Sequence, residues 1–324
     1  MILTFTPNPA TDITLSAKAE LQRGKVQRLS AVTTVAGGKG INVSHAISLA
    51  GQDTLALFPA GHNDPFLALM EEARIPYKAL TVGGQVRSNI AVTEPDGITT
   101  KLNGPGAKMD NVTQAELEYE FMTTVGQLNP EWVVLAGSLP PGVDTFWYVS
   151  LIHALRVANP ETKIALDTSD EPMQALGKSF ETTSPTIIKP NGIELGQLVG
   201  VDGSEIEARA KTGDYAPVVA AAELARKRGV ADVLVTLGSA GAVLVTAAGA
   251  WIAEAPPAKV VSTVGAGDSA LAGYLMAQMR GEEPAECLRH AVAYGTVAAS
   301  LPGTTIPTPD LLDLLRTRVT PFTS

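Results

Sequence analysis

Six short runs in the chain are apolar through their centres, with no polar alternation: ILTF (Ile2–Phe5), TLALFP (Thr54–Pro59), WVVLAG (Trp132–Gly137), KIALD (Lys163–Asp167), TIIKP (Thr186–Pro190) and VLVTLG (Val233–Gly238). A strand without a polar side has to be covered on both faces. Between these runs lie stretches that read as helices, at Ile41–Ala50, Pro65–Ala73, Thr113–Gln127, Phe146–Ala158 and Val218–Arg228. Strand and helix in alternation predict an α/β fold of three layers, with a mostly parallel central sheet between helices.

Two regions break that rhythm. Thr11–Val35 and Val86–Asn103 read as strands with polar alternation, and Pro95-Asp96-Gly97 supplies a hairpin turn in the second. They are too exposed in pattern for the central sheet, so a small antiparallel lid built from two separated segments is expected, at about 11–35 and 86–103. No repeat, low-complexity tract or linker interrupts the chain, and residues 1–324 read as a single domain.

Composition narrows the function classes. With 45% hydrophobic, 18% charged and only 5% aromatic residues, the core is expected to be largely aliphatic. A net charge of -9 and no basic run argue against a nucleic-acid partner. Any anionic ligand would be held by a few local cations. The lone Cys287 excludes an internal disulfide and a cysteine-rich zinc site. MILTFTPNPATD has neither a basic start nor a long apolar stretch, and no bilayer-length apolar run follows, so a cytoplasmic protein with no membrane partner is expected.

The stretch VVSTVGAGDSALAGYLMAQMRG (Val260–Gly281) carries the chemistry. Gly265-Ala266-Gly267 at a helix start directs backbone N–H groups toward an anion. Asp268 places a carboxylate in the same spot, where it would repel a phosphate. The bland explanation is a helix cap. The functional one is phosphoryl transfer: the carboxylate takes the proton of an attacking hydroxyl, while the glycine turn stabilises the moving phosphoryl oxygens. The following helix is apolar all round and is predicted to be buried.

Other frequent chemistries lack their parts. AGGKG (Ala36–Gly40) has Gly40 where a phosphate-binding P-loop needs Ser or Thr, and Thr33 where it needs glycine. No G-x-G-x-x-G follows the first strand. His45, His62, His153 and His290 have no metal-ligand spacing, and LGSAG has Leu237 in place of the first glycine of a serine-hydrolase elbow.

An ordered set of segments resembles the ribokinase-like (PfkB-type) carbohydrate kinases, phosphosugar branch: TPNPATD (Thr6–Asp12), AGGKGINVS (Ala36–Ser44), VRSNIAV (Val86–Val92), AGSLPPGV (Ala136–Val143), LDTS (Leu166–Ser169), KPNGIEL (Lys189–Leu195), TLGSAGA (Thr236–Ala242) and STVGAGDS (Ser262–Ser269). The resemblance implies the ribokinase-like fold and ATP-dependent phosphorylation of a phosphosugar. Fructose 1-phosphate is the expected substrate, with tagatose 6-phosphate or fructose 6-phosphate as alternatives. It implies Asp268 as catalytic base and Gly265, Ala266 and Gly267 as anion hole. The sugar would meet Asp12, Gly37, Gly38, Lys39, Asn42 and Ser138, and its phosphate Arg87, with Lys25, Arg28 and Asn103 as companions. Lys189, Asn191, Thr236, Gly238, Ser239 and Gly241 would hold ATP, with Glu194 reaching Mg2+ through water; K+ is a further candidate ion. A homodimer joined through the lid is also implied.

Two rivals to the kinase reading remain. One is a non-catalytic sugar-phosphate sensor, which would gain nothing from Asp268; the other is a nucleoside kinase, disfavoured by Arg87 and Lys25. Two departures stand out. Asp170 replaces the glycine that usually follows DTS, and AVAYGTVAAS lacks an asparagine often placed near adenine.

Overall fold

The computed structural model describes residues 1–323. Its strands are β1 (Ile2–Phe5), β2 (Ala10–Ala17), β3 (Leu29–Gly37), β4 (Thr54–Ala60), β5 (Tyr77–Thr81), β6 (Arg87–Thr93), β7 (Thr99–Asn103), β8 (Trp132–Ala136), β9 (Lys163–Asp167), β10 (Ile187–Ile188), β11 (Asp232–Thr236), β12 (Ala242–Thr246), β13 (Gly249–Glu254) and β14 (Arg318–Pro321). The helices are α1 (Lys39–Leu49), α2 (Phe66–Glu72), α3 (Asn111–Leu128), α4 (Trp147–Ala158), α5 (Asp170–Ser179), α6 (Gly192–Val199), α7 (Gly203–Lys211), α8 (Ala216–Lys227), α9 (Ala266–Met279) and α10 (Pro284–Ser300).

Ten strands make the central sheet, in the order β14-β13-β12-β11-β10-β9-β8-β1-β4-β5. Those from β11 to β5 run parallel, while β12, β13 and β14 are antiparallel. The apolar runs are explained by both faces being covered. Leu3 and Phe5 enter the layer containing Phe121 and Trp147, whereas Ile2 points the other way, among Val43, Ala46 and Leu271. Phe5 meets Phe121 at 4.9 Å between ring centroids and Trp147 edge-on at 5.8 Å, contacts that lock α3 and α4 to β1. As expected from its sequence, α9 is buried at every position from Asp268 to Ala277.

Two expectations need correction. TIIKP yields a strand of only two residues, because the chain leaves the sheet at Lys189 to enter the site. The lid is not wholly antiparallel: its order is β3-β2-β6-β7, and the central pair β2–β6 is parallel. Its alternation also makes two different faces. In register, Asp12, Asn89 and Asn103 share one side; Ile13, Leu15, Val32, Ile90, Val92 and Leu102 share the other.

Candidate active site

The groups singled out in the sequence gather along the carboxyl ends of the parallel strands, the edge where open α/β sheets bind ligands. Asp167 ends β9, Lys189 follows β10, Thr236 ends β11, and Ser138 stands just beyond β8. Asp268 and the lid residues close over that edge.

Asp268 is not a cap. The N-cap of α9 is Gly265, at φ 77, and it makes no side-chain capping bond. Asp268 lies in the first turn, 7% exposed, and its Oδ2 accepts a hydrogen bond of 2.8 Å from Asn42 Nδ2 on α1. First-turn N–H groups have no acceptor within their own helix; that of Ala266 reaches back to the Thr263 carbonyl at 3.5 Å, and those of Gly265 and Gly267 are left for an anion. Burial, reinforced by the charge of Asp167, pushes the Asp268 carboxyl up; Lys39, the Asn42 bond and Lys189 pull it down. A carboxylate raised by its surroundings is a stronger base than a free one.

Asp167 organises the cations beside it. Fully buried, it pairs with Lys39 Nζ at 2.7 Å and Lys189 Nζ at 3.1 Å. Burial works against its charge, but the two lysines prevail and hold its carboxyl below the usual range. Burial likewise opposes the charge on Lys39, and Asp167 and Asp268 outweigh it. Lys189 Nζ stands 3.1 Å from where a Cβ on Gly267 would be, so a side chain there would crowd the lysine against the helix start. A paired, desolvated cation next to free N–H groups is an arrangement suited to phosphate.

On the sugar side, Gly38, at φ 117, turns the chain from β3 into α1. A Cβ on Gly37 would fall 2.2 Å from Asp12 Oδ2, so only glycine lets the backbone meet that carboxylate. Asp12 accepts from Asn89 Nδ2 at 3.0 Å. Burial raises its carboxyl to about 6, with Asn89, Arg87 and Lys101 opposing and Asp268 reinforcing the shift. Arg87 Nη1 donates to the Gly104 carbonyl at 3.0 Å, and its guanidinium lines an open pocket of about 740 Å³ together with Ser88 and Lys108. Asn8 ties this wall together, donating to the carbonyls of Pro105 and Leu139 and to Ser138 Oγ.

On the nucleotide side, Asn191 and Glu194 form a reciprocal capping box at the start of α6, each bond 2.8 Å. Burial raises the Glu194 carboxyl, and Lys39, Asp167 and Lys189 are all within electrostatic reach of it. Thr236 bridges to Asn191. Gly238 and Ser239 are exposed in the β11–β12 turn, whereas Gly241 is buried, and its need for glycine is steric: a Cβ there would lie 1.9 Å from the Ala253 carbonyl. Among the described residues no group of three or more His, Cys, Asp or Glu could cage a metal. A divalent ion that keeps its waters and binds through one carboxylate plus substrate phosphates fits this donor set.

The structure thus brings together Asp12, Gly37, Gly38, Lys39, Asn42, Arg87, Lys189 and Asp268. Asn103 lies on the Asp12 face of the lid, exposed at the end of β7. Lys25 and Arg28 are not brought to the site within the chain. The β2–β3 register places Ala17 against Leu29, so residues 18–28 cap the end of the hairpin opposite Asp12. Sequence reasoning assigned no role to Asp167, Asn8 or Asn89. A charged residue ending an otherwise apolar strand, as in KIALD, was the signal available for Asp167. Asp170 is exposed at the start of α5 with φ 57, a left-handed conformation that explains a glycine at this point and that aspartate tolerates better than most residues.

Comparison with known proteins identifies the family. The pfkB family carbohydrate kinase profile matches residues 8–311. The chain is 34% identical over 301 residues to the 1-phosphofructokinase of Escherichia coli (strain K12), covering 92% of this chain and 91% of the relative. It is 35% identical over 318 residues to that of Haloferax volcanii, covering 97% and 95%. Among solved structures, phosphofructokinase-2 from Escherichia coli in complex with substrates and products superposes with a TM-score of 0.83 at 28% identity, covering 96% of each chain. The chain belongs to the PfkB family of carbohydrate kinases, phosphotransferases that use ATP and a divalent metal on a sugar hydroxyl.

Proposed function

We propose that this kinase acts on a ketohexose phosphate and converts fructose 1-phosphate to fructose 1,6-bisphosphate. The observation that carries the reading is Asp268: buried, uninvolved in capping, oriented by Asn42, and set beside a free helix start. The sugar hydroxyl oxygen attacks the γ-phosphorus of ATP, Asp268 takes the hydroxyl proton, and the bond from that phosphorus to the β–γ bridging oxygen breaks to release ADP. Lys189 and the N–H groups at Gly265–Gly267 meet the charge that develops on the transferred group. Arg87 grips the phosphate already on the sugar with a planar fork, whereas Lys25 and Arg28, at the far end of the β2–β3 hairpin, would reach that anion only from a second protomer's lid.

Magnesium would sit at the nucleotide phosphates with Glu194 behind its waters, neutralising charge on the phosphates. A solved potassium complex of Escherichia coli phosphofructokinase-2 makes K+ the monovalent ion to test. The fructose 1-phosphate assignment is favoured by the curated relatives. Fructose 6-phosphate is the second reading, since a solved complex of Escherichia coli phosphofructokinase-2 holds that sugar. Initial rates on fructose 1-phosphate, fructose 6-phosphate and tagatose 6-phosphate at equal ATP decide between them. The highest kcat/KM should fall on fructose 1-phosphate; a clear preference for another overturns the assignment.

The assembly we propose is a homodimer joined through the lids, in the cytoplasm where ATP and sugar phosphates are found. Val32 is 59% and Leu102 58% exposed on the lid's apolar side, a face a second lid would cover. Phosphofructokinase-2 from Escherichia coli has a tetrameric inhibited form, which sets the alternative to exclude.

A further inference from the structure

We propose that Asn89 reads the sugar together with Asp12: its amide nitrogen holds Asp12 as an ionised acceptor, and its amide oxygen accepts a hydrogen bond from a substrate hydroxyl. The inference rests on the sugar-phosphate kinase reading above.

Register places Asn89 on β6 opposite Asp12 on β2 and Asn103 on β7, so three polar side chains cross the lid on one face. The Asn89 amide is constrained by chemistry. A carboxylate can only accept, so the amide must turn its NH2 toward Asp12, and the 3.0 Å bond shows this orientation. Its oxygen is then directed away from Asp12, and that oxygen is buried with no protein partner. Two residues back along the same face, Arg87 Nε is also buried without a partner, although Nη1 is bonded to Gly104. These are the only two such atoms on the lid strands among the described residues. An orphan acceptor next to an orphan donor of a guanidinium complements a ligand bearing hydroxyl donors and an anionic group. A sugar phosphate has both.

The Asn89 bond also bears on the charge of Asp12. The charged groups facing Asp12 are Arg87 on β6, Lys101 on β7 and Asp268 on α9; β3 contributes only Val35 and Gly37 at this register. Burial and Asp268 push the Asp12 carboxyl up, and the Asn89 bond pulls it down. Without Asn89, Asp12 should hold its proton to higher pH and lose its capacity to accept from the sugar.

The test compares wild type, Asn89→Leu and Asn89→Asp across a pH series, using the ketohexose phosphate that wild type turns over fastest. Asn89→Leu should raise KM for the sugar phosphate about 10- to 100-fold. KM for ATP and kcat should stay within a few-fold, and the acid limb of kcat/KM should move to higher pH. Asn89→Asp is nearly isosteric and sets a second carboxylate against Asp12. When the pair shares one proton it again offers a donor to Asp12 and an acceptor to the sugar, so its deficit should shrink as pH falls. An unchanged acid limb and sugar-phosphate KM in Asn89→Leu would overturn the proposal, as would a pH-independent deficit in Asn89→Asp. If Asn89→Leu does not fold, the Asn89→Asp profile decides alone. Wild type inactive on every ketohexose phosphate would instead sink the kinase reading itself.

Discussion

Arg87 and Asp12 make opposite contributions to the resting enzyme. Arg87 keeps part of its guanidinium unpartnered, and Arg87→Ala should raise KM for the sugar phosphate about 10- to 150-fold, the range for a charge-assisted bond, with KM for ATP unchanged. Arg87→Lys should recover only part, because a point charge does not reproduce the fork. Equal effects on both substrates would point to a structural arginine. Asp12 is a liability to the fold: its carboxyl rises from 3.8 to about 6 on folding. Between those values the native state binds more protons than the unfolded one, so stability falls as pH rises through that window and stays lower above it. Asp12→Asn should therefore be more stable than wild type at about pH 8, by on the order of 2 kcal/mol, and lose that advantage below about pH 4. Urea denaturation at both pH values checks this; equal stability at the higher pH contradicts it. At this scale Asp268 was legible because an acid behind a glycine turn is chemically odd. Asn89 was not, because its partner lies on a strand 77 residues away.

Among the elements, α9 joins stability to chemistry. Gly273 on its inner face meets α10 so closely that a Cβ would lie 2.6 Å from the His290 carbonyl and 2.8 Å from the Tyr294 ring. Alanine improves helix propensity by about 1 kcal/mol, but the overlap with backbone should prevail. Gly273→Ala is expected to lower thermal stability and, by shifting α9, kcat as well. A gain in stability on heating would contradict the packing described. The inner parallel strands and most helices were legible because burial on two faces leaves an unbroken apolar run. The edge strands β5 and β14 were not, since half-exposed pairing leaves no such run. KPNGIEL folds as a capping box at a helix start, which is also where a phosphate would sit.

The proposed assembly rests on the lid. Its polar alternation alone does not reveal which residues share a face across the lid, because strand pairing between β2 and β6, as at Asp12 and Asn89, 77 residues apart, cannot be seen in local sequence. Once β2 and β6 are paired, Ile13, Leu15, Ile90 and Val92 fall on one face with Val32 and Leu102. Val32→Glu combined with Leu102→Glu should convert a dimer to monomers by light scattering at micromolar concentration. An unchanged mass for the variant would place the interface elsewhere.

The most direct measurement is turnover by Asp268→Asn alongside its affinity for ATP and sugar phosphate. Asparagine keeps the size of the side chain but cannot take the hydroxyl proton. Turnover should fall about 10²- to 10⁴-fold while both ligands still bind. Full activity in the variant would contradict the assignment of Asp268 as the base. Loss of folding and binding together would show that the carboxylate serves the helix instead.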